Sequence, residues 1–114
     1  MTSHITVQPV NSRVSVRVGD VTVADSEEAQ LLTEGPLPPR HYFPRGHVRM
    51  DLLTPTESIT HCPHKGDARY WSLIVGGEEL QDVVWSYEDP ISEMSDIAGL
   101  LCFYDEQVTL EVTN

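Results

Sequence analysis

The run Thr60-His61-Cys62-Pro63-His64-Lys65-Gly66 brings a thiol, an ammonium and two imidazoles together in one short stretch of chain. Nearby positive charge stabilises thiolate over thiol, and the thiolate is the nucleophilic form. In a catalytic reading Cys62 attacks the substrate, His61 or His64 withdraws the thiol proton, and Lys65 holds an anionic group, with acyl or another group transfer as the chemistry. Pro63 and Gly66 would shape a tight loop that exposes the sulfur and frees backbone amides to receive an anion. The competing reading makes Cys62 a small buried apolar residue, Pro63 and Gly66 an ordinary turn, and Lys65 a solvated charge. His61, Cys62 and His64 also amount to three potential metal ligands, but HCxH has no second cluster to complete a site, so no metal is expected and the cofactor is left unknown. Cys102 alternates with Leu100 and Tyr104 and is expected in the core. A redox pair with Cys62 would require Cα atoms within about 7 Å.

Charge isolates the same region. Five of the seven lysines and arginines, and four of the five histidines, fall between Arg40 and Arg69. Arg40, Arg45, Arg49, Lys65 and Arg69 outnumber Asp51, Glu57 and Asp67 there, a net charge of +2 in a chain that totals −11. One cationic face on an acidic body favours a small phosphate or carboxylate over a long polyanion, so nucleic acid is disfavoured as a partner. Arg45 at a loop tip and Arg49 would orient a charged end of the ligand, with Asp51 as base; alternatively Arg49 and Asp51 form an ion pair that orders the loop. Tyr42, Tyr70, Trp71, Trp85 and Tyr87 are core or rim residues by default, yet could wall a pocket for a planar ligand.

Two functions compete. In the first, the HYFP, VRMD and CPHKG loops build a pocket for a small anionic or planar metabolite, with Tyr42, Arg45, Arg49, Asp51, Tyr70 and Trp85 binding and Cys62, Lys65, His61 and His64 reacting. In the second, a non-catalytic interaction or regulatory module meets an acidic partner through its cationic face. Exposure of Cys62 separates them.

The elements that must hold these side chains are short strands. Val14, Val16 and Val18 alternate with polar residues, turn at Gly19-Asp20 and resume at Val21 and Val23, the pattern of a hairpin. A short apolar piece around Leu31 and Leu32 precedes the GPLPP loop, and HYFPRGHVRMDLLTPT reads as irregular. Asp67 to Val75 is the strongest strand, with Tyr70, Ser72 and Ile74 on one side and Arg69, Trp71, Leu73 and Val75 on the other. Gly76-Gly77 turns it back into ELQDVVWSY. Asp89 before Pro90 caps one short helical turn through Ile97, closed by Gly99. LLCFY and QVTLEV form a second hairpin around Asp105 and Glu106. The expected fold is all-β and mainly antiparallel, a flexible tail over residues 1–12 followed by one domain over 13–114.

Composition agrees with that class. A chain of 114 residues, 39% apolar, can bury one core without disulfides, and its two cysteines read as free thiols. No apolar run approaches the roughly 18 residues of a membrane span. The opening MTSHITVQPVNS lacks the features of a secretory signal, so a soluble protein of the reducing cytoplasm is expected. Edge strands of so small a sheet permit a homodimer.

The segments HYFPRGHVRMDLL, THCPHKGDARYWS, DVVWSYEDP and IAGLLCFYDEQVTLEV resemble successive blocks of the bacterial domain-of-unknown-function family 427, sometimes filed under a nucleotidyltransferase label. CPHKGDARYW is similar to the family's Cys-Pro-aromatic-Lys-Gly block and the aromatic strand that follows it. The resemblance runs from about Val14 to Val112 and implies a β-tent-like sheet domain, of the architecture of methionine sulfoxide reductase B. The chain departs from the pattern in lacking paired CxxC knuckles, in carrying His64 where an aromatic is common, His47 where an acid is common, and His41 beside Tyr42 where tyrosine is frequent. No Walker or dinucleotide motif accompanies the nucleotidyltransferase label.

Overall fold

Alternating valines and aromatics make ten strands in the computed structural model, which describes residues 5–113. They are β1 (Ile5–Pro9), β2 (Arg13–Val18), β3 (Val21–Ser26), β4 (Gln30–Glu34), β5 (Arg40–Phe43), β6 (Leu53–Cys62), β7 (Gly66–Val75), β8 (Glu78–Ser86), β9 (Leu101–Phe103) and β10 (Thr109–Thr113). Seven of them form one sheet in the order β1-β4-β5-β9-β8-β7-β6, and β10-β2-β3 form a second. All neighbouring strands are antiparallel, so the all-β class expected from the sequence is what the chain adopts.

One face of the large sheet packs against the small sheet. Val14, Val16, Val23 and Ala24 from the small sheet share a buried cluster with Phe43, Leu73, Val83, Val84, Leu101 and Phe103 from the large one. Phe43 and Phe103 meet edge to face, with ring centroids 5.8 Å apart. The other face carries a separate cluster of Leu32, Tyr42, Ala68, Trp85, Tyr87, Met94, Ile97 and Cys102. Because side chains alternate along a strand, Tyr42 and Phe43, or Val84 and Trp85, serve opposite faces of the same sheet.

Several expectations are corrected. Residues 5–9 of the expected tail are a strand: Ile5 and Val7 alternate onto the second cluster, while Pro9 is tolerated because β1 is an edge. Met1 to His4 of that tail lie outside the described residues. The irregular segment after His41 is partly regular, with β5, two 3-10 turns at Arg45–His47 and Met50–Leu52, and the start of β6. The expected terminal hairpin is absent: Gln107 N–H donates to Tyr104 O in a turn, after which β10 leaves the large sheet and pairs with β2. The helical turn at Ser92–Ile97 is also 3-10, begins after Ile91 rather than at Asp89 and has no side-chain cap. Gly99 at φ +74 then lets the chain reverse, with its N–H donating to Tyr87 O at 3.0 Å.

Strand β7 keeps the expected alternation, with Trp71, Leu73 and Val75 against the first cluster and Ala68 and Tyr70 against the second. Its pairing with β8 slips between Trp71 and Leu73, where the extra residues belong to β8; beside this bulge Ser72 is buried, and Ile74 further along is 43% exposed. Asp82 lies in this β8 bulge at φ +54, an uncommon conformation for a residue with a Cβ. It is held there by Thr56 and Ser58 hydroxyls, each donating to its carboxylate at 2.7 Å, and by its own N–H donating to Ser72 Oγ at 3.2 Å.

Candidate functional site

On the face not covered by the small sheet, aromatic side chains surround a pocket of about 220 Å³. Strand β5 supplies Arg40 and Tyr42, β7 supplies Tyr70, and β8 with the residue after it supplies Trp85 and Tyr87. Tyr104 follows β9, Leu32 and Glu34 come from β4, and Leu37 and Pro38 of the proline loop border the opening.

The aromatic walls are locked to one another. Trp85 Nε1–H donates to Tyr42 Oη at 3.2 Å, and the two rings cross at 88°. Tyr104 lies 4.5 Å from Trp85, centroid to centroid. The Arg40 guanidinium sits 5.4 Å from both the Trp85 and the Tyr104 ring and pairs with Glu106 at 3.0 Å, so it contributes a stacked plane whose charge is already met. Burial pushes the Tyr42 and Tyr87 phenols well above their ordinary range, and both are neutral donors near pH 7.

Lys65 reaches this pocket because its backbone is fixed from both sides. Its N–H donates to Cys62 O at 3.1 Å, closing the turn between β6 and β7, and its carbonyl accepts from Ile91 N–H at 2.9 Å. Gly66 follows at φ +122, where a Cβ would stand 3.2 Å from the Pro90 backbone. The turn is thus pressed against the Pro90 segment, and glycine is required for the approach. The Lys65 ammonium then points to Glu34 Oε1 at 2.5 Å and lies 5.9 Å from the centre of the Tyr87 ring.

Of the residues singled out by sequence, Tyr42, Tyr70, Trp85, Tyr87 and Lys65 are brought together here. The others go elsewhere. Arg45 pairs with Glu88 at 2.5 Å and lies over Trp71, while Arg49 and Asp51 form an exposed two-pronged ion pair with contacts of 2.9 and 2.7 Å. The ion-pair alternative for Arg49 and Asp51 is therefore the one the fold adopts, and the carboxyl is held below its usual range by that guanidinium. His61 is exposed and turns its Nδ1 to Asp67 at 2.8 Å, and His64 is exposed.

Cys62 is half-buried against the second cluster, and among the described residues no hydrogen bond joins its sulfur to His61, His64 or Lys65. Cys102 is fully buried in the same cluster, and burial pushes its thiol up. No three His, Cys, Asp or Glu side chains among the described residues converge as a metal site requires.

Four of the five cations behind the cationic face expected from the charge count are paired with carboxylates on folding. Arg40, Arg45 and Lys65 draw carboxylates from outside their own window, Glu106, Glu88 and Glu34, and Arg49 draws Asp51 from within it. Arg40, Glu34 and Tyr104 are pocket residues that sequence reasoning missed. Tyr104 carried a usable signal, since it alternates with Cys102, whereas nothing in the chain links Glu34 to Lys65 across 31 positions.

No helix among the described residues is long and apolar enough to cross a membrane. The family profile described as "Domain of unknown function (DUF427)" matches residues 6–114. No curated protein matches the chain.

Proposed function

The chain belongs to the DUF427 family, whose description assigns no activity, and from that premise we propose that it binds a small planar metabolite in the aromatic pocket of the open sheet face. The observation that carries this reading is the convergence of Tyr42, Tyr70, Trp85, Tyr87 and Tyr104 from four neighbouring strands of one sheet, or the residues just after them, onto a cavity that also contains the Lys65–Glu34 ion pair. A concave site walled by aromatics with a few convergent polar groups is the usual form of a small-molecule site. Its volume of about 220 Å³ is below the range typical of drug-sized ligands, so one ring or a small fused system is the size class.

In this reading Trp85 and Tyr104 provide flat contact area, Arg40 stiffens them by lying over both rings, and Lys65 with Glu34 fixes the orientation of the ligand's polar edge. Cys62 packs the cluster behind Tyr87, and the function is binding rather than nucleophilic catalysis. The pocket differs from the one expected of the HYFP, VRMD and CPHKG loops, since it draws on the sheet face and takes only the lysine turn from those three.

Binding of single-ring and fused-ring fragments, followed by tryptophan fluorescence, tests the reading. Tyr104→Ala should abolish binding and Arg49→Ala should leave it unchanged. Equal binding by wild type and Tyr104→Ala would refute the assignment.

A further inference from the structure

The polar end of the pocket has unmet hydrogen-bonding capacity of both signs. Lys65 and Glu34 side chains are only 10% and 20% exposed, and both line the cavity. One ammonium proton is directed at Glu34 Oε1; among the described residues, neither Glu34 Oε2 nor the other two ammonium protons has a protein hydrogen-bond partner. A desolvated ion pair is favourable only when its remaining lone pairs and protons are also satisfied, so an occupant that supplies those partners gains most.

The charge of the occupant follows from the same geometry. An anion beside Lys65 would stand against the Glu34 carboxylate, and a cation beside Glu34 would stand against the Lys65 ammonium. The third charged lining residue, Arg40, does not tip this balance, because Glu106 holds it at 3.0 Å. A neutral edge with an acceptor next to an N–H donor meets both groups without repulsion, and the flat walls require that edge to belong to a planar molecule.

Resting on the pocket reading above, we propose that the ligand is a neutral planar amide or lactam, in which a carbonyl accepts from Lys65 and the adjacent N–H donates to Glu34. Nucleobase-like heterocycles fall in this class, as do simple aromatic amides. The orientation is fixed by the two ends of one ion pair, so reversing the edge places donor against donor.

Three probes of nearly equal shape separate the charge classes: benzamide, benzoate and benzamidinium. Each is titrated into the full chain while the Trp85 indole N–H signal is followed by NMR. Benzamide should bind roughly tenfold or more tightly than either ion, since like-charge contact at a part-buried site is strongly unfavourable. In Glu34→Gln the order should change, with benzoate overtaking benzamide because Lys65 has lost its carboxylate. Benzoate or benzamidinium equalling benzamide on the wild-type protein would overturn the inference and leave the pocket standing. Absence of any shift at Trp85 with all three probes would overturn the pocket reading, and this inference with it.

Discussion

The two faces of the seven-stranded sheet are made by adjacent residues of the same strands, and they differ in kind. Toward the small sheet, Phe43, Val84, Leu101 and Phe103 interdigitate with the valines of β2 and β3. Toward the open side, their neighbours Tyr42, Trp85 and Tyr104 stand with Arg40, Lys65 and Glu34 around a cavity. The closed face needs only volume and apolar area, which aliphatic groups supply. The open face uses rings that bring a polar handle, and it buries an ion pair that an apolar pair of similar shape would replace without loss of stability. That choice of residue types is what a binding surface requires and a core does not.

The comparison can be broken at several points. Phe103→Ala empties the closed core beside Phe43 and should cost about 3–5 kcal/mol in chemical denaturation, a loss that Tyr104→Ala, one residue along, should not approach. Lys65→Met leaves Glu34 desolvated and unpaired and should cost about 3 kcal/mol. Adding Glu34→Leu should return most of that loss in a double-mutant cycle. A cycle with no coupling would show that the pair is not the buried unit described here. Gly66→Ala should cost roughly 1–3 kcal/mol, because it forces a Cβ into an unfavourable φ against the Pro90 backbone. It should also displace Lys65 and weaken ligand binding beyond the stability loss.

The smallest effect expected is one of pH. His41 is half-buried, its Nδ1 has no partner, and burial lowers its pKa from the ordinary 6.5. The unfolded chain therefore holds that proton more tightly than the folded one. Stability contributed by neutral His41 is present above the unfolded value and is lost as pH falls below it toward the folded pKa. Unfolding midpoints measured across that acid window should slope downward in the wild type and flatten in His41→Leu.

How much of this was legible in the chain differs between the two faces. The Val14 to Val23 hairpin and the β7–β8 hairpin follow from period-two alternation and glycine turns, which are local signals. The departure of β10 to the other sheet was hidden, because which sheet a strand joins is decided by partners far along the chain. The bulge at Asp82 was hidden too, since it is stabilised by Thr56, Ser58 and Ser72, three residues with no common local pattern. At the site, rings were readable as candidates and Lys65 stood out through its motif. Its partner Glu34 did not, and the same blindness to distant pairing made the charge window look like an open cationic face when Glu88 and Glu106 close over it.

The chain's two tryptophans report on the two faces in one experiment. Trp85 walls the open pocket, and Trp71 packs at the border of the closed core beneath Arg45. Titration with small planar fragments, followed through both indole N–H signals, should move the Trp85 signal in a saturable way and leave Trp71 in place. Movement of Trp71 with Trp85 unchanged, or no saturable change at either, would contradict the assignment of the open face as the ligand site.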